Sequence, residues 1–136
     1  MTPSAHVTVE IDLARVRANV TAIREKTGKP VIAVVKADAY GLGAQRVAPA
    51  IADLVEAFYV FDLAEAQQYR LNEQTGRPTI ALLGASEDPQ EYLSHNVRPV
   101  VWTKERAAVL RAARPILSVD TGQQRFGCPP EDVEAV

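Results

Sequence analysis

Short apolar runs alternate with amphipathic stretches along this chain. The runs VIAVV (31–35), AFYVF (57–61), TIALL (79–83), RPVVW (98–102) and PILSV (115–119) predict five strands, because they are near five residues long and rich in β-branched and aromatic side chains. The stretches between them carry helix signals. Leu13, Val16, Val20 and Ile23 recur at spacings of three and four, with Asp12 placed as N-cap and Gly28 just past the end. Asp62 and Glu65 form a D-x-x-E capping pattern ahead of AQQYRLNEQ, which Gly76 closes. Asp88-Pro89 opens a short helix, and Thr103 caps KERAAVLRAAR. The remaining stretch, AQRVAPAIADL, is a helix that tolerates Pro49 cheaply only in its first turn.

Strand–helix order with continuous apolar strands predicts an α/β fold whose parallel strands are buried on both faces. Successive strands start 17 to 26 residues apart, a spacing that suits the tight units of a (β/α) TIM-type barrel. A closed barrel of eight strands needs about 200–250 residues, so the expected fold is a partial barrel of about five parallel strands in one domain. Two open sheet edges and exposed apolar strand faces are expected with it.

Composition narrows the partners. Hydrophobic residues make up 47% and charged residues 24% of the 136, as in globular proteins. A net charge of −2 leaves no electrostatic case for nucleic acid or an anionic membrane. The longest apolar runs are about five residues against the ~18 a spanning helix needs, and MTPSAHVTVEIDL lacks the basic head and apolar middle of a signal peptide. The expected location is therefore cytoplasmic. A single cysteine, Cys128, excludes an internal disulfide framework, and His6 and His95 add little toward a metal site, so none is expected. His6 reads as part of a frayed terminus and His95 as helix-end polarity.

Ligands of α/β barrels and open sheets bind beyond the carboxyl ends of the strands, so candidate chemistry is sought there. The first strand runs into Lys36 and then ADAYGLG. Apolar walls favour the neutral form of an amine, which can attack a carbonyl and form a Schiff base. Gly41 and Gly43 allow close backbone approach, and Tyr40 offers a ring and a hydroxyl. The same residues equally suit a snorkelling lysine before an ordinary glycine turn. After the fifth strand, Arg125 in DTGQQRFG could take a carboxylate with two parallel hydrogen bonds, or stand solvated. Gly84, Ala85 and Ser86 in LLGAS could approach a ligand or simply turn the chain. Trp102 reads as core or strand-end packing.

Together these segments resemble the N-terminal part of the alanine racemase family. VEIDLARVRANV (9–20) is similar to its opening strand and helix, and AVVKADAYGLG (33–43) to its cofactor-lysine signature, usually AVVKANAYGHG. FYVFDLAEAQQYR (58–70), IALLGAS (80–86) and DTGQQRFG (120–127) follow in family order and spacing. The resemblance covers the whole chain but about the first third of a full-length member.

The resemblance implies that Lys36 carries pyridoxal 5'-phosphate as a Schiff base and serves as one of two proton-transfer bases. It implies that Tyr40 contacts the cofactor phosphate, that Leu83 packs on the pyridine ring, and that Arg125 holds the alanine carboxylate. The implied reaction interconverts L- and D-alanine, supplying D-alanine for cell-wall peptidoglycan, in a homodimer. In that family the second base is a tyrosine on a C-terminal β-domain, contributed by the partner subunit, and the arginine facing the pyridine nitrogen lies on later strands. Neither has a counterpart here, so the 136-residue chain alone is expected to be inactive. A non-catalytic carrier of the cofactor and an inactive remnant are the alternatives. Three positions depart from the pattern: Ser118 stands where a lysine orienting the arginine is common, Asp38 replaces asparagine, and Leu42 replaces histidine. The Asp38 charge lies near Lys36 or points away from it.

Overall fold

A computed structural model of the chain describes residues 8–136, so the expectation for His6 lies outside the described residues. Five strands form one parallel sheet in chain order: β1 (Ile32–Val34), β2 (Ala57–Asp62), β3 (Thr79–Leu83), β4 (Val97–Val101) and β5 (Ile116–Leu117). Ile32 pairs with Ala57, Phe58 with Thr79, Thr79 with Val97, and Val100 with Ile116. The sheet curls into half a barrel with helices packed on one side, as the strand spacing predicted.

Period-2 alternation divides the strands between two layers. Ala33, Val35, Phe58, Val60, Ala81, Val97 and Val101 face the helices and form the main core, with Phe58, Val60, Tyr92 and Leu110 fully buried. Ala57, Ile80 and Val100 form a smaller cluster on the concave side, with Tyr59, Leu82 and Ile116 against it. At the first edge, Ile32 is 51% and Val34 46% exposed, the open apolar face expected of an unclosed sheet.

Local signals explain most helix ends. In α1 (Leu13–Thr27) the Asp12 carboxylate accepts from the amides of Ala14 and Arg15, and Gly28 ends the helix at φ +61. Asp88 accepts from Gln90 N ahead of α6 (Pro89–Ser94), and Thr103 from Arg106 N ahead of α7 (Lys104–Val109). Two expectations need correction. Pro49 lies in the second turn of α3 (Ala44–Ile51), not the first. The position works because Ala44, Val47, Ala48 and Ile51 make the buried stripe while Pro49 faces solvent and the helix ends two residues later. The helix expected across 63–75 is two: α4 (Leu63–Tyr69) and α5 (Leu71–Thr75), broken where Arg70 turns left-handed at φ +51. Tyr69 and Leu71 are both buried, and residues two apart on one helix point about 200° apart. The break lets both reach the core.

Arg17 ties α1 to the turn after α3. Its guanidinium makes two hydrogen bonds of 2.5 Å to the Asp53 carboxylate and one of 3.0 Å to the carbonyl of Ala50. This pairing lowers the Asp53 pKa to about 2. A carboxyl depressed in the folded state stabilises above its ordinary value of 3.8, and that contribution disappears as pH falls toward 2. Urea midpoints measured across this window should therefore fall more shallowly for Asp53→Asn than for the unaltered chain. Both side chains are largely exposed, so the difference should be small and shrink with salt. Among the described residues, no helix is long and apolar enough to cross a membrane.

Candidate active site

All strands are parallel, so their carboxyl ends share one rim, and Lys36, Tyr40, Leu83 and Arg125 all follow or end strands at it. Lys36 stands one residue past β1, after buried Val35, and is half-buried. Its Nζ stands 5.9 Å from the centroid of the Tyr40 ring, within the reach of a cation–π contact. Tyr40 is 64% exposed, leaving its ring and hydroxyl accessible.

The segment joining them, α2 (Lys36–Tyr40), is a left-handed turn. Ala37, Asp38, Ala39 and Tyr40 have φ of 51, 54, 53 and 56, and Gly41 follows at 85. Left-handed backbone costs a non-glycine residue roughly 1–2 kcal/mol, so surrounding contacts must hold four in succession. Inside the turn, Ala39 N donates to Val35 O at 2.8 Å, and Gly43 N to Asp38 O at 2.9 Å. Asp38 Oδ1 accepts from Ala44 N, the first amide of α3, at 2.7 Å. The Asp38 carboxylate is thus engaged with a helix start, which resolves where its charge goes.

Two residues that the sequence reading gave no part in the site also touch this turn. Glu65 Oε1 accepts from Ala37 N at 2.6 Å, and the Tyr69 hydroxyl accepts from Asp38 N at 2.7 Å. The D-x-x-E pattern located the helix start, since Asp62 Oδ1 accepts from Glu65 N at 2.8 Å. Glu65 does not reach back to the N-cap amide as a capping box would. Its second oxygen accepts from Phe61 N at 2.6 Å.

On β3, Leu82 packs on the concave cluster with Ile80, whereas Leu83 ends the strand, half-buried and on the alternate side. The following turn is structural: a Cβ on Gly84 would lie 1.8 Å from the hydroxyl of buried Tyr92, and the Gly84 carbonyl accepts from Arg106 at 2.8 Å.

Arg125 stands on the loop after β5, at the opposite edge of the sheet from Lys36. The loop is built on Asp120, whose Oδ1 accepts from Gly122 N and Gln124 N, both at 2.9 Å. These backbone amides hold its carboxyl below the usual range. Gly127 is needed because a Cβ there would lie 2.5 Å from Asp120 N. The Arg125 guanidinium is exposed, 5.8 Å from the Phe126 ring, which tilts against Trp102 at 5.4 Å. Lys36 and Tyr40 are brought together; Arg125 shares their rim but not their end of it.

Fold and rim define the class: an α/β half-barrel with a lysine at the carboxyl tip of its first strand. The family model described as "Alanine racemase, N-terminal domain" matches residues 11–136, and the chain belongs to that family. It is 37% identical over 136 residues to an alanine racemase of Pasteurella multocida, an alignment covering 93% of this chain and 38% of that protein. The crystal structure of alanine racemase from Oenococcus oeni superposes with a TM-score of 0.78 at 29% identity, covering 92% of this chain and 35% of that one. The fold is also that of alanine racemase from Bartonella henselae, whose crystal structure has covalently bound pyridoxal phosphate (TM-score 0.73, 24% identity, 92% of this chain and 38% of that one). The chain thus spans little more than a third of the relatives it matches.

Proposed function

We propose that this chain forms the cofactor-anchoring part of an alanine racemase barrel, with Lys36 as the residue that holds pyridoxal 5'-phosphate. The observation that carries the reading is the half-buried Lys36 amine at the tip of β1, in a segment, AVVKADAYG, that resembles the family's cofactor-lysine signature. The residues present fit one end of such a group. An amine and the exposed ring and hydroxyl of Tyr40 stand together on the rim, above a concave face made apolar by Tyr59, Ile80 and Leu82.

A pyridoxal phosphate held there would supply an electron sink that acidifies the α-carbon of an amino acid. Lys36 would hold the group through its amine and would take up and return the α-proton on one face. Inversion needs a base on each face, each contributing about 10²–10⁴-fold. Tyr40 binds the phosphate end through its hydroxyl; cover for the pyridine, which the resemblance assigns to Leu83, has to come over the strand tip, because Leu83 alternates away from the concave face. Arg125 holds the substrate carboxylate, its fork matching two oxygens. With Ser118 uncharged, the Asp120-centred loop and the Phe126 ring are what set the arginine's position.

Deuterium incorporation at the α-carbon of L-alanine and, separately, of D-alanine, followed by NMR in D2O with pyridoxal phosphate added, tests this reading. Because Lys36 serves one face alone, one of the two enantiomers should exchange faster than with free cofactor and keep its configuration, while the other should not. Exchange no faster than with free cofactor for either enantiomer counts against Lys36 as a base.

A further inference from the structure

We propose that Glu65 and Tyr69 are positioning residues, which clamp the left-handed turn behind Lys36 and so fix where its amine stands. The inference deepens the reading of Lys36 given above and rests on it. It begins from the turn itself. KADAY contains no glycine, yet four of its five residues lie in the left-handed region. Such a conformation persists only where contacts from outside over-determine it.

The backbone bonds from Gly41 and Gly43 close the turn upon itself, and that from Ala39 ties it to Val35 beside β2, but none of the three fixes it to α4. Its first two amides after Lys36 do. Ala37 N and Asp38 N, like the leading amides of any helical turn, are free for partners beyond it. They take one carboxylate oxygen and one phenol oxygen from α4. The two acceptors are themselves joined, since the Tyr69 hydroxyl donates to Glu65 Oε1 at 2.9 Å. The other Glu65 oxygen is occupied by Phe61 N on β2. One carboxylate therefore links the residue after Lys36 to the neighbouring strand, and every hydrogen bond in the set has a defined direction.

Tyr69 is 7% exposed, so it competes little with water for these bonds. Burial and the nearby Glu65 push its hydroxyl pKa up, which keeps the proton it donates. The hydrogen bonds of the two side chains go to backbone amides and to each other. Both act through the backbone of Ala37 and Asp38, and through it on the adjacent Lys36.

The test uses the 136-residue chain with Tyr69→Phe, which deletes one oxygen, and Glu65→Gln, which keeps the size but puts a donor where only acceptors fit. Amide hydrogen exchange followed by NMR without cofactor reads the clamp directly. Exchange at Asp38 should quicken about tenfold in Tyr69→Phe, and at Ala37 by a similar factor in Glu65→Gln, while Val60 in the sheet core stays protected. If one variant fails to fold, as loss of protection at Val60 would reveal, the other carries the measurement. Pyridoxal phosphate titrated against each variant, read by absorbance, should show capture weakened about tenfold. Unchanged exchange at both amides overturns the clamp. Faster exchange with undiminished capture overturns its positioning of Lys36. An unaltered chain that captures no cofactor overturns the reading of Lys36 itself, an outcome distinguishable from the others because the exchange arm needs no cofactor.

Discussion

Lys36→Ala abolishes covalent capture of pyridoxal phosphate: the absorbance change seen on adding cofactor to the unaltered chain is expected to vanish, and borohydride to fix no label. The effect is all-or-none because the lost atom is the nucleophile. Of the four lysines in the chain, Lys26, Lys29, Lys36 and Lys104, two follow the carboxyl end of a strand, where ligands of parallel α/β sheets bind, and of these Lys36 is half-buried whereas Lys104 is exposed. Lys26 is in the last turn of α1 and Lys29 just beyond it, while Lys104 opens α7. Lys36→Arg should fail equally, since a guanidinium stays charged and does not condense with an aldehyde. Both substitutions fall on a half-buried rim position and should leave the urea midpoint nearly unchanged, separating a lost nucleophile from a lost fold.

The second large effect is on stability. Phe58 is fully buried in β2, between β1 and β3, and packs in the layer that joins sheet to helices. Phe58→Ala should cost about 3–5 kcal/mol, the sum of lost apolar transfer and the cavity left behind. Domains of this size are stable by only about 5–15 kcal/mol, so the loss would remove much of the total. It would appear as a lower urea midpoint at unchanged slope. Phe61→Ala makes the contrast: Phe61, in the same strand, is 45% exposed and has far less burial to lose.

Legibility in the sequence followed the range of the interaction. Asp12, Gly28, Asp88 and Thr103 act on amides or carbonyls within four residues, so their spacing was enough to locate them. The strands were equally legible, although the fifth shrank from five expected residues to Ile116–Leu117, with Val119 bridging to Cys128 beyond it. Arg70 could not be read this way. Its left-handed turn answers a demand from the core for both Tyr69 and Leu71, which no local pattern expresses.

The site divided along the same line. The rim positions of Lys36, Tyr40 and Arg125, though not their roles, were legible through motif and strand-end position. The left-handed turn was not, because KADAY lacks the glycine that usually announces one. Glu65 was seen only as a helix-start residue, since its hydrogen bond to Ala37 spans 28 positions. A glutamate whose local capping role is already filled by an aspartate is the signal that could have pointed to a longer-range task.

The central claim is that one particular amine, at the tip of β1, condenses with an aldehyde cofactor. Borohydride reduction of the chain in the presence of pyridoxal phosphate, followed by proteolysis and mass mapping, tests it directly. A single stoichiometric adduct is expected on the peptide containing Lys36. Label spread among Lys26, Lys29 and Lys104, or folded chain with none at Lys36, would contradict it.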